Sequence, residues 1–263
     1  MLDLLHLITP EYTLSGLLVG ALVGLTGVGG GSLMTPLLVL LFGINPAVAV
    51  GTDLLYAALT KSGGMLVHGF NRNIDWRIVR RMASGSVPTT LLSLLFLSHM
   101  THNGAHPNGL ITYVLGIALI LTAMALFVRG WILKKLVHHV AQFSDKQTRW
   151  LTYLLGALLG VLVSLSSVGA GAIGMLVLLV LYNKTPIARL VGSDIAHAVP
   201  LTLIAGLGHW YMGSVNFSLL FSLLIGSLPG IAIGSFLAAR APDRVLRPIL
   251  ATTLATIGLR LVA

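Results

Sequence analysis

Long apolar blocks alternate along the chain with short polar or Gly/Pro-containing gaps, and the blocks fall near residues 12–28, 31–43, 46–69, 78–98 and 109–129, then 150–167, 171–182, 187–211, 215–238 and 245–262. A helix needs roughly 20 apolar residues to cross the hydrocarbon core of a bilayer. Most blocks approach that length, but 31–43 and 171–182 are short and bordered by glycine. The pattern predicts an all-α integral membrane protein with five hydrophobic segments in each half. The two short segments are expected to be broken half-helices or re-entrant segments near the midplane. Parity alone leaves open whether they cross.

Composition supports the membrane reading. Of 263 residues 56% are hydrophobic and 9% charged, and the mean hydropathy is +0.95, whereas soluble domains carry about 25% charged residues. The net charge of +9 does not point to nucleic acid, because the cations sit in short gaps instead of one stripe. Arg72, Arg77, Arg80 and Arg81 fill one gap, and Arg129, Lys134, Lys135, Lys146 and Arg149 a second. Lys184 and Arg189 fill a third, and Arg240, Arg244 and Arg247 a fourth. The gaps around Asn45, from Ser98 to Gly109 and from Tyr211 to Asn216 contain no Lys or Arg. Positive residues mark cytoplasmic loops, so both termini are expected outside, in a plasma (inner) membrane. The stretch from Met1 to Pro10 lacks the basic start of a cleavable signal, so the first apolar segment is expected to stay. No cysteine is present, which excludes disulfides and thiolate chemistry.

The second half repeats the first. Thr26-Gly-Val-Gly-Gly-Gly31 matches Ser166-Ser-Val-Gly-Ala-Gly171 at an offset of 140, as Pro46 matches Pro186. At an offset of 141, Gly51-Thr-Asp53 meets Gly192-Ser-Asp194, His68 meets His209, and Gly85-Ser-Val-Pro88 meets Gly226-Ser-Leu-Pro229. Ile74-Asp-Trp76 meets Val215-Asn-Phe217 at the same offset. Five segments per copy is an odd number, so the copies are expected to face opposite ways. The division is 1–130, a basic cytoplasmic linker 131–149, and 150–263. Inverted repeats are common in secondary transporters, with the substrate near the midplane.

The glycine runs are the first candidates for chemistry. Non-helical backbone is tolerated at membrane depth only where protein or a cavity surrounds it, and a helix starting after such a break presents free N–H groups to an anion. Thr26, Gly29, Gly30, Gly31 and Ser32 in one copy, and Ser166, Ser167, Gly169 and Gly171 in the other, are therefore candidate substrate contacts. Lys61 lies in a long apolar stretch and either neutralises an anion in transit or pairs with an acid such as Asp194. Asp53 and Asp194 are the acids that fall within segments; intramembrane carboxylates are usually functional, although each follows Gly-Thr or Gly-Ser where it would also suit a helix start. His68, His209 and His197 are candidate gating or coupling groups, His197 sharing a helical face with Asp194. His99, His102 and His106 have a spacing seen in zinc sites, but no acid or cysteine lies nearby and no metal is expected. No phosphate-binding loop appears, no cofactor is expected, and Ser32 lies outside the elbow motif of serine hydrolases, so the chain is not expected to be an enzyme.

At the glycine runs, Gly51-Thr-Asp-Leu54, Gly192-Ser-Asp-Ile195 with His197-Ala-Val-Pro200, and Gly206-Leu-Gly-His209, the sequence resembles the sulfite exporter TauE/SafE family of membrane permeases. The resemblance runs from about Leu14 to the C-terminus. It implies export of sulfite or of organosulfonates such as sulfoacetate, with import of sulfur compounds by some members. Gly-Ala-Gly171 departs from the triple glycine of the first copy. The expectation is a secondary transporter of a small anion, working by alternating access, with protons as candidate coupling ion, the bilayer as surroundings and no nucleic-acid partner. An anion channel or an importer of a related oxyanion is the alternative.

The absence of native cysteine makes the topology directly readable with introduced thiols and a membrane-impermeant reagent. Asn216→Cys is expected to react in intact cells and Asp75→Cys only after permeabilisation; reaction of both from one side would contradict the opposed orientation.

Overall fold

The computed structural model describes residues 9–26, 31–105, 107–140, 144–238 and 243–263, with residues 26, 31, 32, 133–140, 235, 238 and 243–247 described by backbone alone. Ten helices are present among them: α1 (Pro10–Thr26), α2 (Gly31–Leu40), α3 (Pro46–Phe70), α4 (Trp76–His102), α5 (Asn108–Val140), α6 (Asp145–Ser166), α7 (Ala172–Leu181), α8 (Ile187–Tyr211), α9 (Phe217–Ala238) and α10 (Asp243–Val262). Every apolar segment of the sequence corresponds to one of them. The protein is an all-α integral membrane protein.

The helices around the central linker run past their apolar segments. α5 extends to Val140 where its apolar run ends near 129, and α6 begins at Asp145, not near 150. The apolar run stops where lipid would stop, but a helix continues for as long as its backbone is capped. Here Ser144 and Gln147 form a capping box, with the Ser144 hydroxyl accepting from the Gln147 amide and the Gln147 side chain from the Ser144 amide.

The two short helices have 10 residues each, about 15 Å of rise, half of a hydrocarbon core of about 30 Å. Neither continues across. α2 brings Phe42, just beyond its end, edge-on to Tyr12 at the start of α1, ring centroids 5.0 Å apart. α7 likewise ends at Tyr182, whose hydroxyl lies 2.8 Å from the Thr152 hydroxyl in the lower part of α6. α1–α2 and α6–α7 are therefore hairpins that turn back, the second with residues 167–171 at its tip.

The most extensive helix contacts are α1 with α9, α4 with α6, α3 with α8, and α5 with α10. In the first two, glycines bring backbones together. A Cβ on Gly16 or Gly20 would run into the backbone of Leu223 or Ser227, and one on Gly156 or Gly160 into that of Met82 or Ser86. Gly226 abuts the Thr13 carbonyl as Gly85 abuts that of Tyr153. α3 and α8 are clasped in the same paired manner: the Thr52 hydroxyl accepts from the Asn216 amide at 3.0 Å, and the Ser193 hydroxyl from the Asp75 amide at 2.8 Å. Each of these contacts has a counterpart in the other half between residues shifted by 140 or 141. Small residues at such crossings let dispersion and packing act between helices where lipid removes the hydrophobic drive.

A glycine at a crowded crossing and one in open space have opposite tolerances. Gly130 of α5 has nothing near its missing Cβ, so Gly130→Ala is expected to stabilise by about 0.5–1 kcal/mol. Gly156→Val places a branched side chain against the Met82 backbone and is expected to cost about 1–3 kcal/mol or more. Thermal unfolding in detergent measures both.

Candidate functional site

α3 and α8 run antiparallel through the middle of the protein. Gly206 of α8 faces Leu55 near one end of the contact, and Gly64 of α3 faces Ile195 at 3.6 Å near the other. Asp53 and Asp194 each sit seven residues into their helix, which places them about 10 Å from opposite ends of the pair. Lys61 is eight residues beyond Asp53, about 12 Å along α3, between the two carboxylates. Its ammonium interacts electrostatically first with Asp194 and then with Asp53. The structure thus brings together Asp53, Lys61 and Asp194, charged residues that the sequence places within segments 46–69 and 187–211.

The two carboxylates have different surroundings. Asp53 is wholly buried, and its Oδ2 accepts a hydrogen bond from the Thr35 hydroxyl of α2. The Ser167 hydroxyl faces the same carboxylate without closing a bond, and Asp53 Oδ1 has no partner. Asp194 has no such hydroxyl. A Cβ on Gly174 of α7 would lie 2.8 Å from Asp194 Oδ1, and that oxygen is buried with no hydrogen-bond partner. At the position matching Thr35, the second half carries Met175. Neither Asp is an N-cap, since the caps of α3 and α8 are Asn45 and Pro186.

Buried histidines border this column. His197 lies one turn from Asp194, its Nε2 2.8 Å from the Ser86 hydroxyl of α4, and its Nδ1 is buried without a partner. The matching pair in the other half is Tyr56 and Ser227, whose hydroxyls face each other without closing a bond. His209 Nε2 is 2.9 Å from the Ser164 carbonyl; a carbonyl only accepts, so Nε2 carries the proton and the bond ties the end of α8 to α6 just below its tip. His68 is half-buried, stands against Gly192, and has its Nδ1 buried without a partner.

The tip of the α6–α7 hairpin is described in full. Ser167 adopts left-handed backbone at φ 60, and Gly169 has φ 117, a conformation that favours glycine. The amides of Ile173 and Gly174 both donate to the Gly169 carbonyl, leaving those of Gly171 and Ala172 as first-turn donors that no helix carbonyl takes. The Ser166 hydroxyl donates to the Leu162 carbonyl at 2.6 Å and accepts from the Val168 amide, so it shapes the turn, while the Ser167 hydroxyl is unpartnered. In the first copy, Gly29 and Gly30 lie outside the described residues, as do the side chains of Thr26 and Ser32; Gly31 is the first residue of α2. His99 contacts Asn103 at the far end of α4, 3.0 Å away, remote from Lys61, and His106 is outside the described residues.

Thr35, Ser86, Tyr56 and Ser227 were not singled out as site residues by sequence reasoning. Ser86 and Ser227 sit within the repeated Gly-Ser-x-Pro motif, so the repeat held a signal for them. Thr35 is one hydroxyl in an apolar segment, and nothing in its spacing marks it as a partner of Asp53.

A family model described as "Sulfite exporter TauE/SafE" matches residues 12–261. A Bacillus subtilis protein named "Probable membrane transporter protein YjnA" is 40% identical over 250 residues, 95% of this chain and 98% of its own length. "Probable membrane transporter protein YdhB" of the same organism is 28% identical, over 93% of this chain and 96% of its own. "Probable membrane transporter protein MJ0441" of Methanocaldococcus jannaschii is 26% identical, over 96% and 95%. No solved structure matches the chain.

Removing the Thr35 hydroxyl leaves a buried carboxylate with no donor, which costs about 1–3 kcal/mol. Thr35→Val is expected to lower thermal stability by that order and Thr35→Ser to leave it close to wild type, as read by unfolding in detergent.

Proposed function

Because the chain belongs to the sulfite exporter TauE/SafE family of membrane transporters, we propose that it is a secondary transporter of a small sulfur-containing anion such as sulfite or an organosulfonate, working by alternating access between two inverted halves. One observation carries the reading: Lys61 is placed between two buried carboxylates on the α3–α8 pair, the two helices that follow the hairpins. A buried charge is retained at high cost unless it serves a purpose. The contacts recurring at offsets of 140 and 141 support two halves related by a twofold axis in the membrane plane, with both termini outside.

The anion contacts we assign are Lys61, Ser167, the turn at Gly169 and the Gly171 and Ala172 amides, with Thr26, Gly29, Gly30, Gly31 and Ser32 as their counterparts in the first copy's sequence and Ser166 in a shaping role. Each short helix supplies the equivalent of roughly half a positive charge at its N-terminus, so two of them facing one space offset a monoanion together with Lys61. Asp53, Asp194, His68, His197 and His209 are the coupling or gating groups. Export is the direction that the family's description suggests, and import of a related oxyanion is the same cycle run backwards. An anion channel would share the helix termini but give no saturation.

Purified protein in liposomes is expected to show saturable counterflow of labelled sulfite or sulfoacetate, and Gly171→Val to abolish it together with substrate-induced thermal stabilisation, at normal expression and monodispersity. Conductance without counterflow would favour the channel. Wild-type affinity in the valine variant would make the tip a packing device.

A further inference from the structure

Repeat-related residues that differ in their surroundings are the informative ones here. Asp53 has no solvent exposure and receives the Thr35 hydroxyl, whereas Asp194 retains 7% exposure and its buried Oδ1 has no donor. α7 offers Asp194 the bare Cα of Gly174, followed by Met175 where α2 has Thr35. The charged group that interacts with Asp194 is Lys61, and Lys61 is one of a kind: its repeat-related position holds Thr202, whose hydroxyl donates to the Ala198 carbonyl of its own helix.

We propose that Asp194, and not Asp53, is the carboxylate that takes up a proton when an anion enters, because Asp194 and the anion compete for Lys61. The proposal rests on the reading of this site as an anion-transport site. In the empty site the Lys61 ammonium balances the Asp194 carboxylate. An anion that engages Lys61 and the α7 amides leaves that carboxylate with neither a donor nor a counter-charge, and a buried charge so exposed is removed by protonation. One proton from the open aqueous side adds to an Asp194 oxygen for each anion bound, and Lys61 keeps its own. The charge of the loaded site then equals that of the empty one, and proton and anion leave together on the other side. Proton and anion are thus symported. An inward proton gradient drives uptake, and efflux follows where the anion is concentrated inside.

Of the other titratable groups facing α8, the Nδ1 atoms of His68, His197 and His209 are buried without partners. A neutral imidazole, however, has no negative charge for Lys61 to balance and loses no counter-charge when an anion arrives, and Asp53 keeps the Thr35 hydroxyl. On α3 the titratable groups are Asp53, Tyr56, Lys61 and His68. Tyr56 faces Ser227, and His68 stands against Gly192 near the far end of α3. On α8, His197 Nε2 is held by Ser86 at 2.8 Å and His209 Nε2 by the Ser164 carbonyl. α7 carries no titratable residue. Asp75, whose amide meets Ser193, directs its carboxylate to the Arg77 amide. On α4, Arg81 bonds Tyr182, and the charged residues of α6, Asp145, Lys146 and Arg149, lie in its first two turns.

The test uses labelled methanesulfonate, a monoanion whose one acidic group stays ionised near neutral pH, in proteoliposomes with the membrane potential clamped at zero. Wild type is expected to accumulate it about tenfold per unit of inward pH gradient, the ratio for one proton per anion, and to carry protons that an entrapped pH dye records. Asp194→Asn is expected to keep counterflow and lose both gradient-driven accumulation and proton flux, Asp53→Asn to keep one proton per anion in whatever transport remains, and Lys61→Gln to lose counterflow. Wild-type counterflow of methanesulfonate with no proton flux overturns the proposal and leaves the transport reading standing. Retained coupling in Asp194→Asn, or its loss in Asp53→Asn alone, also overturns the proposal. The dye record on the wild type decides the matter even where a variant fails to fold. Absence of counterflow for every anion offered defeats the transport reading itself.

Discussion

Inside hydrocarbon no water is available to a backbone N–H or C=O, so a chain that stops being helical at membrane depth must do so within protein. This constraint governs the architecture. The tip at 167–171 is the described break of that kind, and its own residues Val168 and Ala170 are buried. The α6–α7 hairpin can turn back only because α3, α8 and the helices behind them enclose its tip. That enclosure in turn requires the glycine crossings of α1 on α9 and α4 on α6, where backbone meets backbone. Remove the close approach and the break loses its protein surroundings.

A paired scaffold then carries an unpaired set of charges. The helix crossings, the Thr52–Asn216 and Ser193–Asp75 clasps and the hairpins all recur between the halves. Lys61 does not, nor does the Thr35 bond to Asp53. In the proposed alternating-access cycle, recurrent contacts give two equivalent ways of opening the molecule. In that cycle the single contacts decide what each opening does to the anion. The physical consequence is a division of labour between rigid helix packing, which tolerates little change, and a few buried polar groups, which set the chemistry.

Much of the fold was legible because the bilayer imposes its length scale on the sequence. Apolar runs ended where helices leave lipid, and glycine and proline marked breaks. The overruns of α5 to Val140 and of α6 back to Asp145 were not legible, since hydropathy reports lipid contact while the helix follows its capping. Of the site, Asp53, Lys61 and Asp194 stood out as charges in apolar segments, and their grouping follows from the antiparallel α3–α8 pair. Thr35 and the Ser86–His197 contact were hidden, because a hydroxyl in an apolar helix reads the same whether it bonds its own backbone, as Thr202 does, or a carboxylate on another helix. Only three-dimensional packing separates those cases.

The central claim is that one anion binds at mid-depth between Lys61 and the start of α7. Selenite replaces the sulfur of sulfite by an anomalous scatterer of similar shape and charge, so a crystal soaked with it reports the position directly. The account predicts an anomalous peak in contact with the Lys61 ammonium and the Gly171 and Ala172 amides, absent from Lys61→Gln crystals. A peak confined to the basic face around Arg77, Arg80 and Lys184, with none near Lys61, would contradict it.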